Sequence, residues 1–209
     1  LVDAINNRLP TGATPTTIEG PFYVTDAPEM RDGASMAEGA PGIVCFMVGM
    51  VRGTGGEPIA GASLDIWQTD GEGLYEAQRD GIDGPWMRGL YRTGPDGRYA
   101  VRTVVPIGYT IPMDGTVGEV VGRAKISHMR PAHIHFRLDA PGYREVVTHL
   151  FRSGDRYIDT DAVFAVKEPL IVEFEAHAPG KAPNGETVAA PYYVVRYDVV
   201  LQPMAPATA

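Results

Sequence analysis

The segment of this chain with the densest chemistry is Arg130-Pro131-Ala132-His133-Ile134-His135-Phe136-Arg137-Leu138. Side chains on a strand alternate between faces, so His133 and His135 share one face while Ile134, Phe136 and Leu138 point to the other, into a core. Two imidazoles on one face can give a metal ion two nitrogen ligands, or stand as ordinary structural histidines, and the pair alone fits both readings. Further ligands are open at this level. A Cys-based site is excluded, because the only cysteine is Cys45, inside an apolar run. Carboxylates at Asp114, Glu119 and Asp139 would complete the two-His, one-carboxylate site of a metal hydrolase or ferrous oxygenase, and several tyrosines lie near Gly or Pro at loop ends.

Strands are needed to hold such a pair, and the chain supplies them. Runs rich in Val, Ile, Phe, Tyr and Thr recur at Ile43–Val51, Ser63–Gln68, Arg98–Val105, His133–Leu138, Glu145–Phe151, Leu170–Ala176 and Tyr192–Leu201. Turn signals such as Gly55-Gly56-Glu57-Pro58, Gly94-Pro95-Asp96-Gly97 and Pro141-Gly142 separate them. This pattern predicts an all-β chain, an antiparallel β-sandwich with long loops, and no βαβ alternation. Only Leu1 to Leu9 reads as helical, with Leu1, Ile5 and Leu9 on one face and Pro10-Thr11-Gly12 as a stop. The expected organisation is a remnant of an N-terminal helical segment over 1–12 and a catalytic β-sandwich domain over 13–209.

The formal net charge of −8 and the lack of a Lys/Arg run exclude a surface that tracks nucleic-acid phosphates. The longest apolar stretch, Ile43–Val51, is of strand length, far short of the roughly 20 residues of a spanning helix. No signal peptide is visible. A lone Cys45 in that stretch reads as a buried thiol and fits a reducing, cytoplasmic setting.

Five ordered segments resemble a known family over nearly the whole chain. They are Ile18-Glu19-Gly20-Pro21-Phe22-Tyr23; Asp65-Ile66-Trp67-Gln68 running on to Gly73-Leu74-Tyr75; Pro106-Ile107-Gly108-Tyr109-Thr110-Ile111-Pro112; Arg130 through His135; and Ala140-Pro141-Gly142-Tyr143. The family is that of the intradiol ring-cleavage dioxygenases, in particular its catechol and hydroxyquinol 1,2-dioxygenase branch. The resemblance implies one Fe(III) per chain, bound by Tyr75, Tyr109, His133 and His135, with Tyr109 and His135 axial. It implies an aromatic diol and O2 as substrates, and cleavage between the hydroxyl-bearing carbons to a muconate-type diacid or maleylacetate. It also implies a homodimer formed through a helical domain of which only the last helix remains here.

The ligand set makes chemical sense. Holding a phenol of pKa near 10 as phenolate at pH 7 costs about 4 kcal/mol, a penalty that a trivalent cation offsets through direct attraction. By the same resemblance Tyr109 leaves the metal when substrate arrives and takes up a substrate proton, and Arg130 stabilises negative charge on the ring. Ile18, Gly20, Pro21, Ile111, Pro112 and Val163 are the implied apolar walls. His149 stands where catechol-cleaving members carry Gln, which resembles the hydroxyquinol branch. Ile18-Glu19 before Gly20 resembles the catechol and chlorocatechol branches instead. Hydroxyquinol is the favoured substrate, with catechol or chlorocatechol the alternative. A non-catalytic β-sandwich binding module is the remaining rival.

Overall fold

The computed structural model describes residues 12–82 and 84–204, so the expected helix over Leu1 to Leu9 lies outside the described residues. Strands are numbered in chain order. One five-stranded sheet contains β1 (Val44–Gly53), β4 (Arg98–Val104), β10 (Phe174–His177), β13 (Tyr192–Arg196) and β14 (Val199–Leu201). The other runs in the order β3 (Arg88–Arg92), β2 (Ser63–Trp67), β7 (His133–Asp139), β8 (Val146–Arg152) and β9 (Ile171–Val172). Two short hairpins complete the strands, β5 (Tyr109–Thr110) with β6 (Met129–Arg130) and β11 (Gly180–Lys181) with β12 (Thr187–Val188).

Alternation along the strands builds the core. Cys45, Met47 and Val51 of β1 face Ile134, Phe136 and Leu138 of β7 and Leu64 and Ile66 of β2 in one buried cluster, while Phe46 turns outward onto Tyr192 and Val194. Burying each large apolar side chain of β7 is worth about 1.5–3 kcal/mol, which holds the strand in one register. A one-residue slip would exchange the imidazole face for the core face.

The sandwich follows the sequence expectation, with several differences. Most pairings are antiparallel, but β1–β13, β1–β14 and β8–β9 are parallel. The run Leu170–Ala176 divides into β9 on one sheet and β10 on the other. Likewise Tyr192–Leu201 breaks into β13 and β14 at Tyr197-Asp198, where the Tyr197 carbonyl approaches so closely that a Cβ on Gly49 would lie 1.8 Å from it. The one α-helix among the described residues, α1 (Gly115–Ala124), has no clear sequence signal, because Gly115, Gly118 and Gly122 each lower helix propensity by about 1 kcal/mol. Strand β3 is similarly unmarked, with arginines at both ends and Gly89 inside. No helix among the described residues is long and apolar enough to cross a membrane.

The turn after β2 is tied down at several points. Asp70 is fully buried, and its Oδ1 accepts the Glu72 and Leu74 amides at 2.8 and 3.1 Å while Arg79 pairs with Oδ2. Gly71 packs against the backbone of Pro41 and Gly42, where an added Cβ would sit 2.5 Å from Gly42 Cα and 2.6 Å from the Pro41 oxygen. Gly71→Ala is therefore expected to destabilise the protein by about 1–3 kcal/mol through overpacking against backbone that cannot retreat. Urea unfolding measures it, and a wild-type midpoint would show that this turn is not held by the close approach.

Candidate metal centre

The outer face of the second sheet carries a row of rings. Strand register sets Trp67 opposite His135 and His135 opposite His149, with ring centroids 4.7 and 4.2 Å apart. His133 occupies the next position of that face, opposite Phe151. All three histidines are buried, and their candidate ligand atoms lie within 4.8 Å of one another.

Hydrogen bonds choose the tautomer of His133. Its Nδ1 lies 2.7 Å from the Pro131 carbonyl, which can only accept, so Nδ1 carries the proton and Nε2 the lone pair. That Nε2 is 3.1 Å from His135 Nε2 and 3.0 Å from Arg130 Nη1. The His149 Nδ1 meets the Thr17 hydroxyl, while its Nε2 is buried without a hydrogen-bond partner.

Two phenols complete the cluster. Tyr75 Oη and Tyr109 Oη are 3.5 Å apart, and the Tyr109 ring centroid is 5.5 Å from that of His133. Tyr75 is presented by the Asp70 turn, its amide donates to Gln78 Oε1 at 3.0 Å, and its ring stacks on Phe22 at 4.1 Å. Tyr109 is placed by the β5–β6 hairpin, which pairs it directly with Arg130. Thus the sequence-predicted Tyr75, Tyr109, His133 and His135 are brought together, and Arg130 beside them.

Burial, followed by the neighbouring Tyr109, pushes the Tyr75 phenol well above its ordinary value. Burial also holds His133, His135 and His149 well below the usual histidine range, with Arg130 and neighbouring imidazoles adding to the effect. Such a site presents neutral imidazoles and, in Tyr75, a buried phenol that only a strong cation would ionise. The donor set fits a hard, highly charged ion with mixed oxygen and nitrogen ligation, and the orphaned buried nitrogen shows a cluster not closed by its own hydrogen bonds.

The carboxylate alternative loses its ligand. Asp114 and Glu119 are exposed at the start and on the surface of α1, Asp139 is exposed at the end of β7, and no carboxylate joins the histidine cluster among the described residues. Alternation explains Asp139, which shares the His133 and His135 face but lies beyond the site, two turns of the pleat away.

Next to the cluster lies a cavity of about 310 Å³, lined by Tyr109 and Arg130. Ile18, Gly20, Pro21, Ile111, Pro112 and Val163 all line it, as does Asp114, whereas His149 sits behind, in the ring cluster. Sequence reasoning missed Phe22 and Val117 as lining, Trp67 as the ring stacked on His135, Thr17 on His149, and Asp161, whose carboxylate meets Arg130. Phe22 and Trp67 lie within the segments that carried the resemblance, but Asp161 had no local signal.

A family profile described as "Dioxygenase" matches residues 18–203. The 6-chlorohydroxyquinol 1,2-dioxygenase of Cupriavidus pinatubonensis is 41% identical over 203 residues, covering 97% of this chain and 70% of that protein. The hydroxyquinol 1,2-dioxygenase of a Rhizobium species is 45% identical over 176 residues, covering 84% and 60%. Among solved structures, hydroxyquinol 1,2-dioxygenase from Pseudomonas putida superposes with a TM-score of 0.90 at 42% identity, covering 97% of this chain and 71% of that one. The chain thus spans 60 to 71% of the length of these relatives.

The histidine burial has a consequence for the metal-free protein. Folded-state values lie below the unfolded value of 6.5, so above that pH both states hold neutral imidazoles and nothing is lost. As pH falls through 6.5 the unfolded chain takes up protons that the folded site refuses, and stability drops by up to roughly 1.4 kcal/mol per pH unit for each histidine. Denaturation midpoints should fall from about pH 7 to pH 5.5, and His149→Gln should make the slope shallower by about one proton. A flat profile shared by both proteins would contradict this.

Proposed function

The chain belongs to the intradiol ring-cleavage dioxygenase family, and from that premise we propose that it opens an aromatic diol between its two hydroxyl-bearing carbons with dioxygen. The supporting observation is the convergence of two phenols and two imidazoles, with 3.5 Å between the phenol oxygens and 3.1 Å between the imidazole nitrogens, at the wall of an apolar cavity. Family membership implies non-haem iron. Our reading is one ferric ion per chain on Tyr75, Tyr109, His133 and His135. When bound, that ion supplies the positive charge that keeps the phenols and the diol ionised and makes the ring open to attack by O2.

The protein's own groups divide the remaining work. Tyr109 lines the cavity, whereas Tyr75 is locked behind it by the Phe22 stack and the Asp70 turn. Tyr109 is therefore the phenol that an arriving diol meets, and its oxygen is the acceptor for a substrate proton. Tyr75 stays in place. Arg130 is 3% exposed and has one guanidinium nitrogen, Nη2, buried without a partner, so its charge acts undiluted by solvent on negative charge developing in the ring. Ile18, Pro21, Ile111, Pro112 and Val163 form an apolar slot for a flat ring and exclude water.

Hydroxyquinol is the favoured substrate, on the strength of His149 in the ring row and of the hydroxyquinol-named relatives. The reaction adds one O2 to the triol and gives the enol of maleylacetate. Catechol or chlorocatechol is the alternative. Homodimerisation and a cytoplasmic location are carried over from the resemblance and from the buried free Cys45. A second reading is favoured by one observation, the mutual approach of His133, His135 and His149, which would support a metal on three imidazoles.

Oxygen uptake by iron-loaded protein with hydroxyquinol, catechol, 4-chlorocatechol and protocatechuate in parallel tests the activity. One O2 per diol, fastest with hydroxyquinol, is expected, and Tyr109→Phe should lower kcat by about 10² or more. His149→Gln should keep its iron, whereas loss of the metal in that variant would favour the three-imidazole centre. Consumption of none of the four diols would sink the proposed activity.

A further inference from the structure

Asp161 lies 31 residues from Arg130 in sequence, yet its carboxylate is the only one paired with that arginine among the described residues. Both side chains are almost fully buried, at 2% and 3% exposure. Oδ1 accepts Arg130 Nε at 3.2 Å and the Val163 amide at 3.4 Å, and Oδ2 accepts the Ala165 amide at 2.9 Å. The same short loop is tied back by two backbone bonds, from Ala162 N to Met129 O at 2.9 Å and from Phe164 N to Asp161 O at 3.0 Å. Phe164 is held there at φ +55°, a strained conformation for a bulky residue, and is 82% exposed. A well-fixed loop is what maintains such a residue.

We propose that Asp161 is a positioning residue for the reaction, fixing the plane of the Arg130 guanidinium through Nε while its loop carries Val163 into the cavity wall; this rests on the function proposed above. An Nε–H bond to the carboxylate fixes the plane of the whole guanidinium and with it the positions of both terminal nitrogens. One of these, Nη1, reaches His133 Nε2 at 3.0 Å, and the other has no partner in the protein. Pinning therefore holds in one place a guanidinium that lines the cavity and keeps a donor no protein atom consumes. The same carboxylate sets the cavity wall two residues on. Charge and wall share one support.

An amide cannot replace it. Asn offers one acceptor where Asp161 uses two oxygens, so an NH2 group would face either the Arg130 Nε–H or the Ala165 N–H. Asp161→Asn in the iron-loaded protein is expected to keep its iron and its visible absorption but to lose about 10²-fold in kcat, with KM changed far less. Introduced on top of Arg130→Ala, the same change should cost less than about threefold, because the group it positions is gone. Asp161→Glu keeps the buried charge and so guards against misfolding, and should fall between wild type and Asn. A solvent-protected Arg Nε–H resonance, present in wild type and absent in Asp161→Asn, reports the pin without any turnover. Undiminished kcat in Asp161→Asn, loss of its iron, or a full multiplicative loss in the double variant would overturn the proposal. A protected resonance in a wild-type protein that consumes no diol would instead remove the function and leave the pin standing.

Discussion

Three imidazoles and two phenols share a buried space in which the imidazoles and the Tyr75 phenol are held neutral. Burial favours the neutral histidines and the neutral Tyr75 phenol, and four of the five rings are oriented by groups outside the cluster: Pro131 for His133, Thr17 for His149, Trp67 for His135 and Phe22 for Tyr75. The ring nitrogens converge, and His149 Nε2 and His135 Nδ1 are left buried without a hydrogen-bond partner. Such an arrangement is poor as a hydrophobic core and well suited to a cation that would offset the cost of ionising the buried Tyr75 phenol.

Much of the surrounding structure supports that constraint. The two-sheet core fixes the register of β7, and register places His133 and His135 on the outer face. Two buried aspartates then do parallel work on opposite sides of the site. Asp70 folds the turn that delivers Tyr75, and Asp161 folds the loop that holds Arg130 and Val163. Each accepts backbone amides while pairing with an arginine, which lets a carboxylate stay buried. The phenol on the rigid turn is sheltered, and the phenol on the two-residue hairpin strand meets the cavity. That asymmetry is why the proposed proton acceptor is Tyr109 rather than Tyr75.

The strands and the His-x-His face were legible because their signals are local: period-two alternation and turn residues at short spacing. The convergence of Tyr75 and Tyr109 on the histidines was legible only through family resemblance, since 24 residues and a helix separate Tyr109 from His133. Helix α1 was hidden by its three glycines, and the parallel pairings of β1 with β13 and β14 were hidden because strand pairing over such a sequence separation is a long-range property. Asp161 marks the limit most clearly. An acidic residue in a loop reads as solvated, and only the fold reveals that it is buried against a guanidinium.

Ferric iron held by two tyrosines and two histidines is tested most directly by the visible absorption of protein reconstituted with one equivalent of iron, read together with its bound iron content. Phenolate ligation should give a red-brown band that changes in both Tyr75→Phe and Tyr109→Phe and remains in His149→Gln. An iron-replete but colourless protein, or a band indifferent to both tyrosine replacements, would contradict it.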